Sequence, residues 1–204
     1  MRQELIHLHA QLGTTMIYVT HDQVVAMSMA QNIIVMHKGK VMQMGTPIEI
    51  YKNPANMFVA EFIGNPGMVF LKGNIEKSDK IILNINQSIV NLPINLSLDK
   101  GNKIMIGVRP EDIVLCKTKE EHINNYIIFQ VVVRFMQLIG HEIVMHIESL
   151  DNKWQGKALV NWKKNKFQIG EHVYVKISYC DLHFFDLNTD AIPFSGNKKR
   201  KNND

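Results

Sequence analysis

Several things are scarce in these 204 residues, and each scarcity excludes something. There are only two cysteines, Cys116 and Cys180, far apart and in no metal-ligand spacing, so neither a disulfide framework nor a Cys-based zinc site is expected, and a reducing compartment is the default. No uninterrupted apolar run reaches the roughly 18 to 20 residues of a membrane span. The first residues, Met-Arg-Gln-Glu-Leu, lack the long apolar core of a signal peptide. No two glycines are adjacent, no G-x-x-x-x-G-K-[ST] phosphate loop occurs, and no apolar strand-like run ends in Asp-Glu, so nothing here cradles a triphosphate. Charge is also sparse where it would matter for a partner. The net +4 is concentrated in 198–201 (Lys-Lys-Arg-Lys), which with Asp204 leaves about +1 for the body of the chain. A solvated tail explains that balance better than a nucleic-acid surface.

What is present is a 46% hydrophobic composition, sufficient for a real core. Residues 1–64 read as alternating helices and strands. Leu5, Ile6, Leu8, His9 and Leu12 mark one side of a helix that stops at Gly13. The run Met16-Ile17-Tyr18-Val19 has the unbroken apolar character of a strand covered on both faces, expected over 16–20, and His21 stands just past its carboxyl end, where ligands gather in open α/β sheets. Asp22 is placed to cap a helix over 22–30. Two short strands, 33–36 and 41–44, flank the turn Lys38-Gly39-Lys40. Thr46-Pro47-Ile48-Glu49 has the form of a capping box with proline at the first helical position. A further helix is expected over 55–63, and Gly64-Asn65-Pro66-Gly67 marks a domain boundary.

Beyond that boundary the pattern becomes β-rich, with strands expected at 81–85, 89–94, 103–108, 126–136, 142–148, 154–162 and 172–178. This spacing suggests a small barrel or sandwich, an OB-like barrel among the options, over 65–186, followed by a basic disordered tail over 187–204. The fold class expected is therefore α+β: an α/β piece followed by an all-β domain.

Other chemical constellations are weak. His141 to His146 misses H-E-x-x-H by one residue and falls in a strand-like run, where positions five apart face opposite ways. His7 and His9 diverge on a helix, and scattered Ser, His and Asp make no triad. Trp154, Trp162 and Phe167 beside Lys153, Lys157, Lys163, Lys164 and Lys166 could stack and neutralise a single-stranded nucleic acid, but core tryptophans with a solvated loop explain them better.

Residues 8–71, with "YVTHDQ" at 18–23, "KGKVMQMGTP" at 38–47 and "ANMFVAEFIG" at 55–64, closely resemble the end of the ATP-binding subunits of ABC importers, particularly those for maltose, other oligosaccharides and glycerol-3-phosphate. "IGVRPEDI" at 106–113 and "DLHFFD" at 181–186 are similar to landmarks of that family's OB-like regulatory (TOBE-type) domain. The resemblance implies that His21 is the switch histidine, hydrogen-bonding the γ-phosphate and helping to place the attacking water, with Thr20, Asp22 and Gln23 shaping its loop. It implies ATP and Mg2+ as cofactors of the intact subunit, and as partners two membrane permease subunits, a second ATP-binding subunit in a homodimer and, indirectly, a solute-binding protein, at the cytoplasmic face of the inner membrane. No nucleic acid is expected as a partner. The family's phosphate loop, Gln loop, signature, Walker B and D-loop all precede the point matching Met1, which falls inside a family helix. The expectation is thus a truncated reading frame, a gene remnant or a fragment of a longer protein, without ATP hydrolysis of its own and with apolar faces and strand edges exposed. A non-enzymatic OB-like ligand-binding or regulatory module is the alternative.

Overall fold

The computed structural model describes residues 2–77, 80–85, 89–91, 100–119, 125–187 and 194–195. They divide into two compact units, Met1–Gly64 and Asn65–Asp204. The expected tail over 187–204 lies, apart from Leu187 and 194–195, outside the described residues.

The first unit contains four helices and one hairpin among the described residues. Helix α1 (Arg2–Leu12) ends where Gly13 turns left-handed at φ +60, its N–H donating to the His9 carbonyl. Residues 13–20 then run without regular structure. The strand expected at 16–20 does not form, and Ile17 and Val19 are 87% and 91% exposed. A parallel strand exists only through ladders to its neighbours, and no described strand lies beside this one. Helix α2 (Gln23–Met29) follows, then strands β1 (Ile33–His37) and β2 (Lys40–Gly45), an antiparallel pair closed by Lys38 and Gly39 with φ of 46 and 76. Two consecutive left-handed residues match the right-handed twist of a hairpin, and glycine takes the second at little cost. Helix α3 (Pro47–Lys52) starts on the full capping box, with the Thr46 N–H donating to the Glu49 carboxylate and the Glu49 N–H to the Thr46 hydroxyl. Those bonds hold Glu49 below the usual carboxylate range. Helix α4 (Met57–Phe62) is capped by Asn56 and is shorter than the 55–63 expected. Ile33 and Val35, Ile50, and Val59 and Ile63 make the unit's small core.

Among the described residues the second unit is all β apart from three short 3-10 turns. Six antiparallel strands form one sheet in the order β13 (Phe194–Ser195), β12 (His183–Asp186), β6 (Lys103–Val108), β3 (Val69–Lys77), β4 (Lys80–Leu83), β5 (Ile89–Asn91). Five more form the other, in the order β10 (Gln155–Asn161), β9 (Glu142–Ser149), β8 (Tyr126–Ile139), β11 (His172–Ser178), β7 (Val114–Cys116). Both sheets send alternate residues into one core, including Leu71, Ile104 and Ile106 from the first and Val131, Met145 and Val175 from the second. Trp154 ties them: its indole N–H donates to the Phe70 carbonyl at 2.8 Å, and its ring lies edge-on to Phe129. Gly156 makes room for that ring, since a Cβ there would come within 2.3 Å of it. The strand expectations at 103–108 and 172–178 coincide with β6 and β11; β3, β7 and β12 lie outside the expected strands, and β13 pairs with β12 inside the stretch expected as a disordered tail. Residues 92–94 of the strand expected at 89–94 lie outside the described residues.

Trp162 corrects another expectation. Trp154 is a core residue at 7% exposed, but Trp162 is 49% exposed, because it leaves β10 at the sheet edge and enters a 3-10 turn.

Candidate functional site

The segment carrying His21 is organised by its neighbours. The Thr20 hydroxyl accepts the Asp22 N–H at 2.9 Å, and the Asp22 carboxylate accepts the Val24 and Val25 N–H groups at 2.9 and 3.1 Å. These bonds fix a tight turn at the start of α2, and His21 sits exposed upon it. Behind the turn, Gln23 reaches across the unit. Its amide nitrogen donates to the Phe62 carbonyl, and its oxygen accepts the Gly64 N–H at 3.0 Å. The first turn of α2 is thereby clamped to the end of α4. Gln43 on β2 makes a similar clamp, bonding the Asn53 carbonyl at 2.9 Å and the Ala55 N–H at 2.8 Å. An open pocket in this unit is lined by Gln23, Phe58, Glu61, Phe62 and Gly64, and His21 is not among its walls.

As chemistry, this arrangement offers one exposed imidazole on a rigid turn. The sequence holds no phosphate loop. A nucleotide does not fit these residues by themselves, so no phosphoryl-transfer step is derived from them.

His141, His146 and His7 have structural surroundings. His141 lies in the turn before β9, while the His146 ring on β9 packs 5.5 Å from Phe135, and burial together with Lys157 holds its pKa down. His7 bonds Gln11 on its own helix. No group of three metal-ligating residues occurs among the described residues.

A second polar cluster, not singled out by its chemistry in the sequence, joins the two landmark segments of the all-β unit. Arg109 follows β6 and is 3% exposed; His183 opens β12, opposite Gly107, and is 7% exposed with an unpartnered Nδ1. Burial pushes the His183 imidazole down to about 4, helped by the Arg109 charge. Asp112, half-buried in the 3-10 turn 110–112, is pushed up to about 6 by burial and by Asp181 and Glu111, against the pull of Arg109.

Residues 64–113 match the model of the MalK OB fold domain. Over 93% of the chain, identity is 34% to the ABC transporter ATP-binding protein YurJ of Bacillus subtilis and 35% to YcjV of Escherichia coli K12, covering 52% and 51% of those proteins. It is 34% to the sn-glycerol-3-phosphate import ATP-binding protein UgpC of Psychromonas ingrahamii, again over 93% of the chain and covering 49% of that protein. Over most of its length the chain is thus similar to ABC transporter ATP-binding proteins. It spans about half the length of the curated relatives it matches. A crystal structure of the cytoplasmic molybdate-binding protein ModG overlays 56% of the chain and 93% of its own with a TM-score of 0.49 at 10% identity. No described helix is long and apolar enough to cross a membrane. The match to the MalK OB fold domain agrees with the OB-like expectation, since the matched segment contains β3, β4, β6 and the Arg109 turn of the all-β unit.

Proposed function

We propose that this chain supplies the C-terminal portion of the ATP-binding subunit of an ABC importer for carbohydrates or glycerol-3-phosphate, with 1–64 as the end of the ATPase domain and 65–186 as the OB-like regulatory domain. The observation that carries the reading is the clamped turn at 20–23. It presents His21 on a scaffold of five side-chain hydrogen bonds, as a residue that must meet a γ-phosphate requires. His21 is then the switch histidine, a donor to the transferred phosphoryl group, while the phosphates and Mg2+ are held by residues other than these 204. The assembled subunit pairs with a second copy beneath two permease subunits at the cytoplasmic face of the membrane and receives solute indirectly from a binding protein.

The distribution of apolar surface supports the same reading. In the first unit Ile17, Val19, Ile34, Met36, Val41 and Met44 are all more than half exposed. On the hairpin, Ile34 faces Met44 and Met36 faces Val41 across one solvent-side surface. Such a face suits a domain completed by further chain. The test is to co-express this chain with the N-terminal half of a full-length relative such as UgpC. Co-purification that is lost when Ile34 and Met44 become Asp supports the proposal; failure of the two to associate under any condition contradicts it.

A further inference from the structure

The carboxyl end of α4 is closed from outside the helix. The chain leaves it through Ile63, which is extended, and Gly64, whose φ of 125 is a conformation that L side chains rarely adopt. The last carbonyls of a helix need partners from elsewhere. Here one side chain serves both the end of the helix and the residue that follows: the Gln23 amide nitrogen donates to the Phe62 carbonyl, and the Gln23 oxygen accepts the Gly64 N–H at 3.0 Å. Gly64 is the last residue of the first unit, and the chain passes from it into the second unit at Asn65. Gln23 is also the first residue of α2, directly after Asp22, whose carboxylate accepts the Val24 and Val25 N–H groups and whose own N–H goes to Thr20. His21 therefore stands two residues from a side chain that grips the exit from its unit.

We infer that this clamp is a coupling device: the backbone at 62–64 and the placement of His21 are set together, so that a movement of the chain leaving the first unit reaches the switch histidine through one amide. Its two arrangements are the Gln23 amide engaged with Phe62 and Gly64, or released to water. The difference between them is small, because Gln23 is half-buried and trades protein partners for solvent. Coupling of this kind is reciprocal, so whatever frees one end loosens the other. The second glutamine clamp is the internal contrast, since Gln43 bonds Asn53 and Ala55 on the connection between α3 and α4. The inference rests on the reading of His21 as the switch residue.

The experiment follows amide exchange at Val24 and Val25 and the ring resonances of His21 by NMR in the full chain. Gly64→Ala puts a Cβ on a left-handed backbone and draws the Gly64 N–H off Gln23. It should speed exchange at Val24 and Val25 roughly several-fold and move the His21 resonances, although the sites are remote in sequence. Gln23→Met, which keeps the length and removes both bonding groups, should do the same, and Gly64→Ala should add nothing to it. Gln43→Ala should leave both reporters unchanged, which separates coupling from general loosening of the unit. Where Gly64→Ala fails to fold, Gln23→Met against Gln43→Ala carries the test. Unchanged reporters overturn the inference, as do reporters that respond equally to Gln43→Ala or a Gly64→Ala effect that persists in full beside Gln23→Met. With the chain joined to the ATPase half of a full-length relative, Gln23→Met should lower kcat for ATP hydrolysis roughly several-fold at unchanged KM, and no further once His21 is alanine. If His21→Ala leaves that rate intact, the functional reading falls and this inference with it. If His21→Ala slows it and Gln23→Met does not, this inference alone falls.

Discussion

The side-chain oxygen of Gln23 accepts the N–H of Gly64, 41 residues away, at 3.0 Å, and the same amide donates to the Phe62 carbonyl. One side chain thus satisfies two backbone groups at the end of α4 and holds the first turn of α2, two residues after His21. Gln23→Ala should destabilise the first unit by about 1–2 kcal/mol, the ordinary loss for two partly exposed hydrogen bonds. Hydrogen exchange checks this: the Gly64 amide should exchange several-fold faster, with core amides of the second unit such as Val131 unaffected.

In the second unit, Trp154 joins the two sheets through the Phe70 carbonyl and fills the space left by Gly156. Trp154→Phe should cost about 1–3 kcal/mol by leaving that carbonyl unpaired. Gly156→Ala should cost a similar amount by driving a methyl into the ring. Thermal melts of the two variants and their combination would show the double variant well short of the sum, because both act on one contact.

The cluster of Asp112 and His183 makes a pH prediction with a cancellation in it. Asp112 has its pKa raised from 3.8 to about 6, so the folded state holds a proton that the unfolded chain has released, and this contribution is lost as pH rises through that window. His183 has its pKa lowered from 6.5 to about 4, so the unfolded chain binds the extra proton, and stability is lost as pH falls through nearly the same window. In the native chain the two slopes oppose each other. Asp112→Asn should leave stability rising with pH between about 4 and 6.5, and His183→Gln should leave it falling as pH rises from about 4 to 6. The depressed carboxylates Glu49, Glu148 and Glu171 lose their contribution as pH falls below their usual 4.5, toward the acid edge of this window. Urea melts at stepped pH values read both slopes.

The elements legible in the sequence are those fixed by chemistry within a few residues. The Thr46–Glu49 box, the Asp22 cap, the Lys38-Gly39 turn and the stop at Gly13 depend on local bonds and left-handed φ, and each stands where the residues indicated. Residues 16–20 were misread because a strand is defined by its neighbours, whatever its own propensity. Trp162 was misread as core for a related reason, since its exposure follows from β10 lying at the sheet edge. The Gln23 clamp and the His183 environment join positions remote in sequence, and no local pattern encodes them. The turn around His21 was legible through Asp22, whereas the role of the imidazole came from resemblance alone.

The most direct test of the central claim is a chimera in which this chain replaces the matching C-terminal portion of a full-length relative, assayed for ATP hydrolysis with and without His21→Ala. The account predicts an active chimera whose rate falls roughly hundredfold or more on that substitution, in the range of losing a group that stabilises transition-state charge. An active chimera that keeps its full rate without His21 would contradict it.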